Sequence, residues 1–196
     1  ILNIKQGGKG QVVDAAMVDG ASVLMSMFYA FKASGFWLEE RESNMLDGGA
    51  HFYDTYECSD GKFLAIGAIE SQFYAVLLEK LEISDTKFQN QHDRNQWPEL
   101  KDIIQNKIKK KTRDEWADIF DGTDACVAPV LNLSEAPEHH HMKARNSFVN
   151  IDGTIQPAPA PRFSETTPEI KHSALKAGEN NDEICAKYNL DRTCFK

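Results

Sequence analysis

The sequence predicts an α/β fold in which a small mixed domain is flanked by helical segments, and two observations carry that prediction. Two β-rich runs, at 52–58 and 63–69, flank the four-residue loop Ser59-Asp60-Gly61-Lys62, the pattern of a β-hairpin. Directly after them, and again after residues 98 and 112, apolar residues recur at the spacing of amphipathic helices.

Taken in order, the opening "ILNIKQGGKGQVVD" has no initiator Met, no signal-peptide pattern and no Arg-rich transit pattern, and reads as the interior of a longer chain. Its "QGGKG" precedes an extended run and lacks phosphate-loop spacing, so it is read as a turn. From Asp14, a candidate cap, Met17, Ala21, Leu24, Met25, Phe28 and Phe31 predict one long, largely buried helix that ends at Gly35. The charged and then Gly-rich stretch 38–49 reads as a boundary or linker. After the hairpin, Ser71 is the expected N-cap of a helix whose buried face is Phe73, Leu77, Leu78 and Leu81. Pro98 suits the first turn of a helix with Leu100, Ile103, Ile104 and Ile108 inward, and Thr112-x-x-Glu115 is a capping box opening another with Trp116, Ile119 and Phe120. Asp121-Gly122 stops that helix. "CVAPVLNL" is extended, with Pro129 restricting it to a sheet edge. A short helical piece at 134–145, a hairpin at Asp152-Gly153, a Pro-rich connector "QPAPAPRFSETTPEI" and a last helix capped by Asn180 or Asn181 complete the chain.

Composition narrows the function classes. The 196 residues carry a net charge of −8, which disfavours a broad nucleic-acid surface, and the one basic cluster, Lys107 with Lys109, Lys110 and Lys111, reads as the solvated face of a helix. No segment approaches the ~18 apolar residues of a membrane span. Cys58, Cys126, Cys185 and Cys194 show no C-x-x-C spacing and are too sparse for a disulfide scaffold, so reduced thiols are expected. His139, His140 and His141 are adjacent, whereas zinc held on a helix asks for i, i+4 pairs and further ligands, so no metal site is read there. Cys126 reads as a buried structural thiol.

Glu70 is the unusual residue, a carboxylate between the apolar run 63–69 and the helix pattern that follows. At a helix start the orphan N–H groups and the positive end of the dipole stabilise such a charge. A carboxylate placed there can also orient a histidine for proton transfer. Residue chemistry leaves both readings open.

Four separated blocks, "GKGQVVDAAMVDG", "NMLDGGAHFYDTYECSDGKFLAIGAIESQFY", "EWADIFDGTDACVAPV" and "PAPRFSETTP", resemble the alpha-methylacyl-CoA racemases of the family III CoA-transferase superfamily, from about Gly8 to residue 168. His51 departs from the pattern, which usually has proline there. The resemblance implies inversion of C2 in 2-methyl-branched acyl-CoA thioesters by proton abstraction and reprotonation, with no cofactor and no metal. It implies Glu70 as the catalytic carboxylate that supports a histidine base, and Tyr53 and Ile69 as residues lining the CoA and acyl site. The His and Asp bases belong to an upstream part of the family pattern, and none of the six histidines here matches it. The chain then corresponds to a helix and linker of a Rossmann-like large domain (1–47), a small α+β domain (48–133) and a return segment to the large domain (134–196). The same resemblance implies an acyl-CoA substrate, an interlocked homodimer, and residence in the peroxisome or mitochondrion, although Cys194-Phe195-Lys196 is not a peroxisomal tripeptide. The alternatives are a CoA-transferase of the same superfamily, which would carry a longer glycine loop than Gly48-Gly49, and a non-catalytic binding or dimerisation module.

Overall fold

The structure is a computed structural model that describes residues 1–195, with side chains to Thr193; the Cys194 thiol and the terminal Lys196 lie outside the described residues. The chain divides into two compact units, Ile1–Val130 and Leu131–Lys196.

The first unit opens with α1 (Leu2–Lys5), a turn at Gly7, and then α2 (Met17–Leu24) and α3 (Ser26–Ala33). These correct the expectation of a single buried helix from Asp14. The N-cap is Ala16, the helix steps at Met25, and neither half buries a residue. Met17 is 90% exposed and Leu24 81%. The step has a local cause, since Ser22 Oγ and Ser26 Oγ bond back to the carbonyls of Val18 and Val23, and the Met25 N–H is shared between the Ala21 and Ser22 carbonyls. The exposure has a different cause: burial needs a facing surface, and the described residues place none over Met17, Val18 and Leu24. Gly35 ends α3 with a positive φ of 76°, as its position predicts.

Residues 36–50 form a cross-braced turn. Asn44, 1% exposed, bonds Leu38 through both ends of its side-chain amide, and Asp47 accepts from the backbone and side chain of Asn44. Gly49 must be glycine here, because a Cβ would stand 2.7 Å from the Asn44 carbonyl oxygen.

β1 (Tyr53–Glu57) and β2 (Phe63–Gly67) pair antiparallel with Glu57 opposite Phe63 and Tyr53 opposite Gly67, a register one residue away from the one a loop of Ser59–Lys62 alone would set, since the Cys58 N–H donates to the Lys62 carbonyl. Period-2 alternation sends Tyr56, Leu64 and Ile66 into the core and leaves Tyr53, Thr55, Phe63 and Ala65 on the other face. Behind the core face lie α4 (Ser71–Lys80), α5 (Trp97–Ile108) and α6 (Arg113–Phe120), and β3 (Val127–Pro129) completes the sheet in the order β1-β2-β3. Pro129 thus sits on an edge strand, as expected.

The α4 face is turned slightly from the expected one. Tyr74, Leu77 and Leu81 are buried, while Phe73 and Leu78 are half-buried. In α5, Leu100, Ile104 and Ile108 are fully buried. The Thr112–Glu115 capping box is complete, and the Trp116 indole N–H donates to the Ile108 carbonyl, locking α6 onto the end of α5. Lys107 pairs with Glu82 and Lys109 with Glu57, both at 2.9 Å, so these two lysines of the basic cluster are engaged in ion pairs on the helix surface.

In the second unit, α7 (His140–Ala144) precedes the hairpin β4 (Phe148–Ile151) and β5 (Thr154–Pro157). Asp152 and Gly153 both take positive φ, the requirement of a type I′ turn. The Pro-rich connector forms no helix or strand, and α8 (Asn181–Tyr188) has Asn180 at its N-cap position, without a side-chain capping bond.

Two substitutions test this core. Ile104→Ala deletes a fully buried side chain and should cost about 2–5 kcal/mol, whereas Thr112→Ala removes one cap and should cost about 1 kcal/mol. Urea unfolding of both variants, read at the midpoint with unchanged slope, measures the two costs, and equal losses would contradict the packing described.

Candidate active site

The candidate site is built where β2 hands over to α4. Gly67 ends the strand with its N–H donated to the Cys126 carbonyl, and the Ala68 N–H donates to the Phe52 carbonyl. The side-chain amide of Gln91 then donates to two successive carbonyls, Ala68 at 3.0 Å and Ile69 at 2.9 Å. Gln91 is itself buried, and its own carbonyl accepts from the Trp97 indole N–H. Nothing in the polar run around Gln91 marks it in the sequence, because both of its partners lie more than twenty residues away.

Glu70 follows this clamp. It occupies the N-cap of α4 with extended backbone angles of −75° and 141°, and its carbonyl accepts from the Tyr74 N–H. The N-cap is therefore Glu70 and not Ser71, because the extended conformation needed to leave the strand persists one residue less than the sequence suggests. The Glu70 carboxylate makes no capping hydrogen bond and is exposed. It sits at the positive end of a ten-residue helix without being consumed by it.

Tyr53 lies on the outer face of the sheet. Its ring covers Gly67, where an added Cβ would stand 3.7 Å from the ring and 3.8 Å from the Cys126 carbonyl oxygen. Tyr53, Gly67 and Cys126 share an open cavity of about 520 Å³ with Ala65, Ala128 and, at its polar end, Asp47 and Asp54. Ile69 and Glu70 are not part of its lining. Ile69 is half-buried and packs against the core, so the structure brings Tyr53 to the cavity and sets Ile69 and Glu70 at the adjoining joint.

The electrostatics of the cavity are acidic. Asp54 pairs with Lys101 at 2.6 Å, and Lys101 also donates to the Gly48 carbonyl, tying β1 to α5. Burial works to raise the Asp47 carboxyl, but hydrogen bonds from Asn44, Gly49 and Ser43 outweigh it and hold the group below its usual range. Such a lining suits a neutral or apolar ligand segment better than a phosphate. Cys126 corrects another expectation: it is exposed. The chain turns there through a φ of 53°, so Ala125 takes the core position and Cys126 faces the cavity. Partial desolvation, then the charges of Glu70 and Asp124, push its thiol up, which argues against a thiolate nucleophile.

Comparison with known proteins places this geometry. Residues 1–181 match the model of CoA-transferase family III. The chain is 42% identical over 190 residues to alpha-methylacyl-CoA racemase from Mus musculus, covering 95% of this chain and 50% of that protein. It is also 42% identical over 188 residues to the Homo sapiens protein of the same name, covering 94% and 49%. It therefore spans about half the length of these relatives. Among solved structures, a CAIB/BAIF family protein from Brucella suis superposes with a TM-score of 0.68 at 22% identity, over 95% of this chain and 50% of that one. With the sheet-to-helix joint, the matched family model and the shared fold in agreement, the chain belongs to CoA-transferase family III.

Proposed function

We propose that this chain supplies the small-domain half of an active site that inverts C2 of 2-methyl-branched acyl-CoA thioesters. The observation that carries the reading is Glu70: a carboxylate held at a helix N-cap by a clamped backbone, exposed and without a capping bond of its own. In this reading one base removes the C2 proton, the electron pair moves into the thioester carbonyl to give an enolate, and a conjugate acid on the opposite face returns a proton to C2. Glu70 acts through a histidine base contributed by sequence outside these 196 residues, fixing its tautomer and stabilising the imidazolium. It is thus a positioning residue. Tyr53 and the apolar floor of the cavity accept part of the acyl-CoA, and Ile69 borders the same ligand from the joint.

The CoA-transferase alternative fits less well. Gly48-Gly49 is a compact turn whose second glycine packs on the Asn44 backbone, not the extended glycine loop that reaction calls for. A homodimer in which the exposed apolar face of α2 and α3 is covered, and residence in peroxisomes or mitochondria, belong to the same proposal and rest on the family pattern.

Three outcomes test it. The 196-residue chain alone should exchange the C2 hydrogen of 2-methylacyl-CoA for deuterium no faster than buffer, and exchange well above background would assign the bases to this chain. In an enzyme of the relatives' full length carrying this chain, Glu70→Gln should lower turnover by roughly 100-fold or more and move the acid limb of the pH–rate profile to lower pH, with melting unchanged. A normal rate and profile would return Glu70 to a purely helix-capping role. Co-expressed with an upstream-base mutant, the Glu70→Gln chain should form a mixed dimer more active than either mutant homodimer; a confirmed heterodimer with no recovery means that sites are not shared between chains.

A further inference from the structure

His51 is fully buried, at a position where burial demands that its polar atoms be partnered. Its Nε2 lies 2.7 Å from the Tyr74 hydroxyl, and Nδ1 has no hydrogen-bond partner. The same hydroxyl lies 3.2 Å from the Phe88 carbonyl oxygen, which can only accept. Tyr74 therefore donates to Phe88 and accepts from His51, so the ring carries its proton on Nε2. Nδ1 is left as a bare lone pair within a wall of edge-on rings, with Phe52, Tyr74 and Phe88 centred 5.1, 5.5 and 5.7 Å away.

The groups facing the ring come from three directions. From β1, Tyr56 donates its hydroxyl to the His51 carbonyl at 2.6 Å; from α4 comes Tyr74; from the segment before α5 come Phe88 and His92. Burial raises both tyrosine hydroxyls, so they keep their protons. Burial first, and the charge of His92 second, lower His51 to about 4. A protonated ring would carry a second N–H, on Nδ1, where no acceptor stands.

Tyr74 also closes the first turn of α4, its N–H donating to the Glu70 carbonyl at 2.9 Å. We infer that His51 is a positioning residue: as the neutral Nε2–H tautomer it holds Tyr74, and through Tyr74 the helix turn that aims Glu70. Where it bears on turnover, this rests on the role proposed for Glu70; where it bears on the helix turn, it stands alone.

Imidazole nitrogen NMR of the chain should find His51 in the Nε2–H form and still neutral at pH 5.5, where histidines of ordinary pKa, about 6.5, are mostly protonated. After correction for intrinsic rates, the Tyr74 amide should exchange hydrogen roughly tenfold faster in Tyr74→Phe, with α5 amides unchanged. Should that variant not fold, the wild-type chain supplies the same readout, since Tyr74 protection should fall relative to α5 as the pH approaches 4. In the full-length enzyme, Tyr74→Phe and His51→Ala should lower kcat with little change in KM, and His51→Gln, which keeps a neutral donor, should restore much of it. An Nδ1–H tautomer, titration of His51 near the ordinary histidine value of about 6.5, or unchanged Tyr74 protection would each overturn the inference. If Glu70→Gln is silent in turnover, the functional proposal fails by itself, and the tautomer and exchange measurements still decide this one.

Discussion

The joint between β2 and α4 depends on one side-chain amide. Gln91 holds the Ala68 and Ile69 carbonyls, the last two before Glu70, and is itself held by the Trp97 indole at the start of α5. Two carbonyls freed from a strand and buried short of a helix would each go unpaired, at about 1–3 kcal/mol apiece. Gln91 meets both with one NH₂ group. With the carbonyls fixed, the chain leaves the sheet in one direction, α4 starts at a fixed residue, and the Glu70 carboxylate emerges exposed, near enough to Cys126 for its charge to raise that thiol, instead of inside the core.

This explains which parts of the molecule could be read from the sequence. The hairpin, the Thr112–Glu115 box, the edge placement of Pro129 and the turn at Asp152-Gly153 are written in residues within four positions of one another, where local sterics and hydrogen bonds decide. Glu70 was legible as an anomaly for the same reason: charge between two apolar patterns is a local contrast. Gln91 and His51 were not, since Gln91 acts on residues 22 and 23 positions away and His51 on a tyrosine 23 positions away. A glutamine in a polar run and a histidine beside a hairpin have no local mark that they will be buried.

The exposure of Cys126 and that of α2 and α3 have separate origins. Cys126 was expected inside because its neighbours are apolar, but one left-handed residue shifts the alternation, and Ala125 takes the core position. In α2 and α3 the helical periodicity is present and the expected burial is not, because periodicity reports only that a face is apolar. What covers that face is set by a different surface, and among the described residues none is placed over Met17, Val18 or Leu24.

Exposure also bears on the proposed chemistry of Glu70. A carboxylate and an imidazolium about 4 Å apart attract by about 1 kcal/mol in water and by about 4 kcal/mol at the effective dielectric of a partly closed protein site. Only the second value moves a histidine pKa by more than a unit. In the proposed role an exposed Glu70 is therefore half of an electrostatic device: the clamp fixes its place, and the strength of the interaction would depend on whatever surface brought the histidine and excluded water. An open cavity of about 520 Å³ next to it has the same character, with a floor formed by the sheet and no roof supplied by the described residues. On the proposed function, hydrogen bonds that fix the joint would let a second surface complete both features at once, since a base delivered from outside is best matched to a carboxylate already held in place.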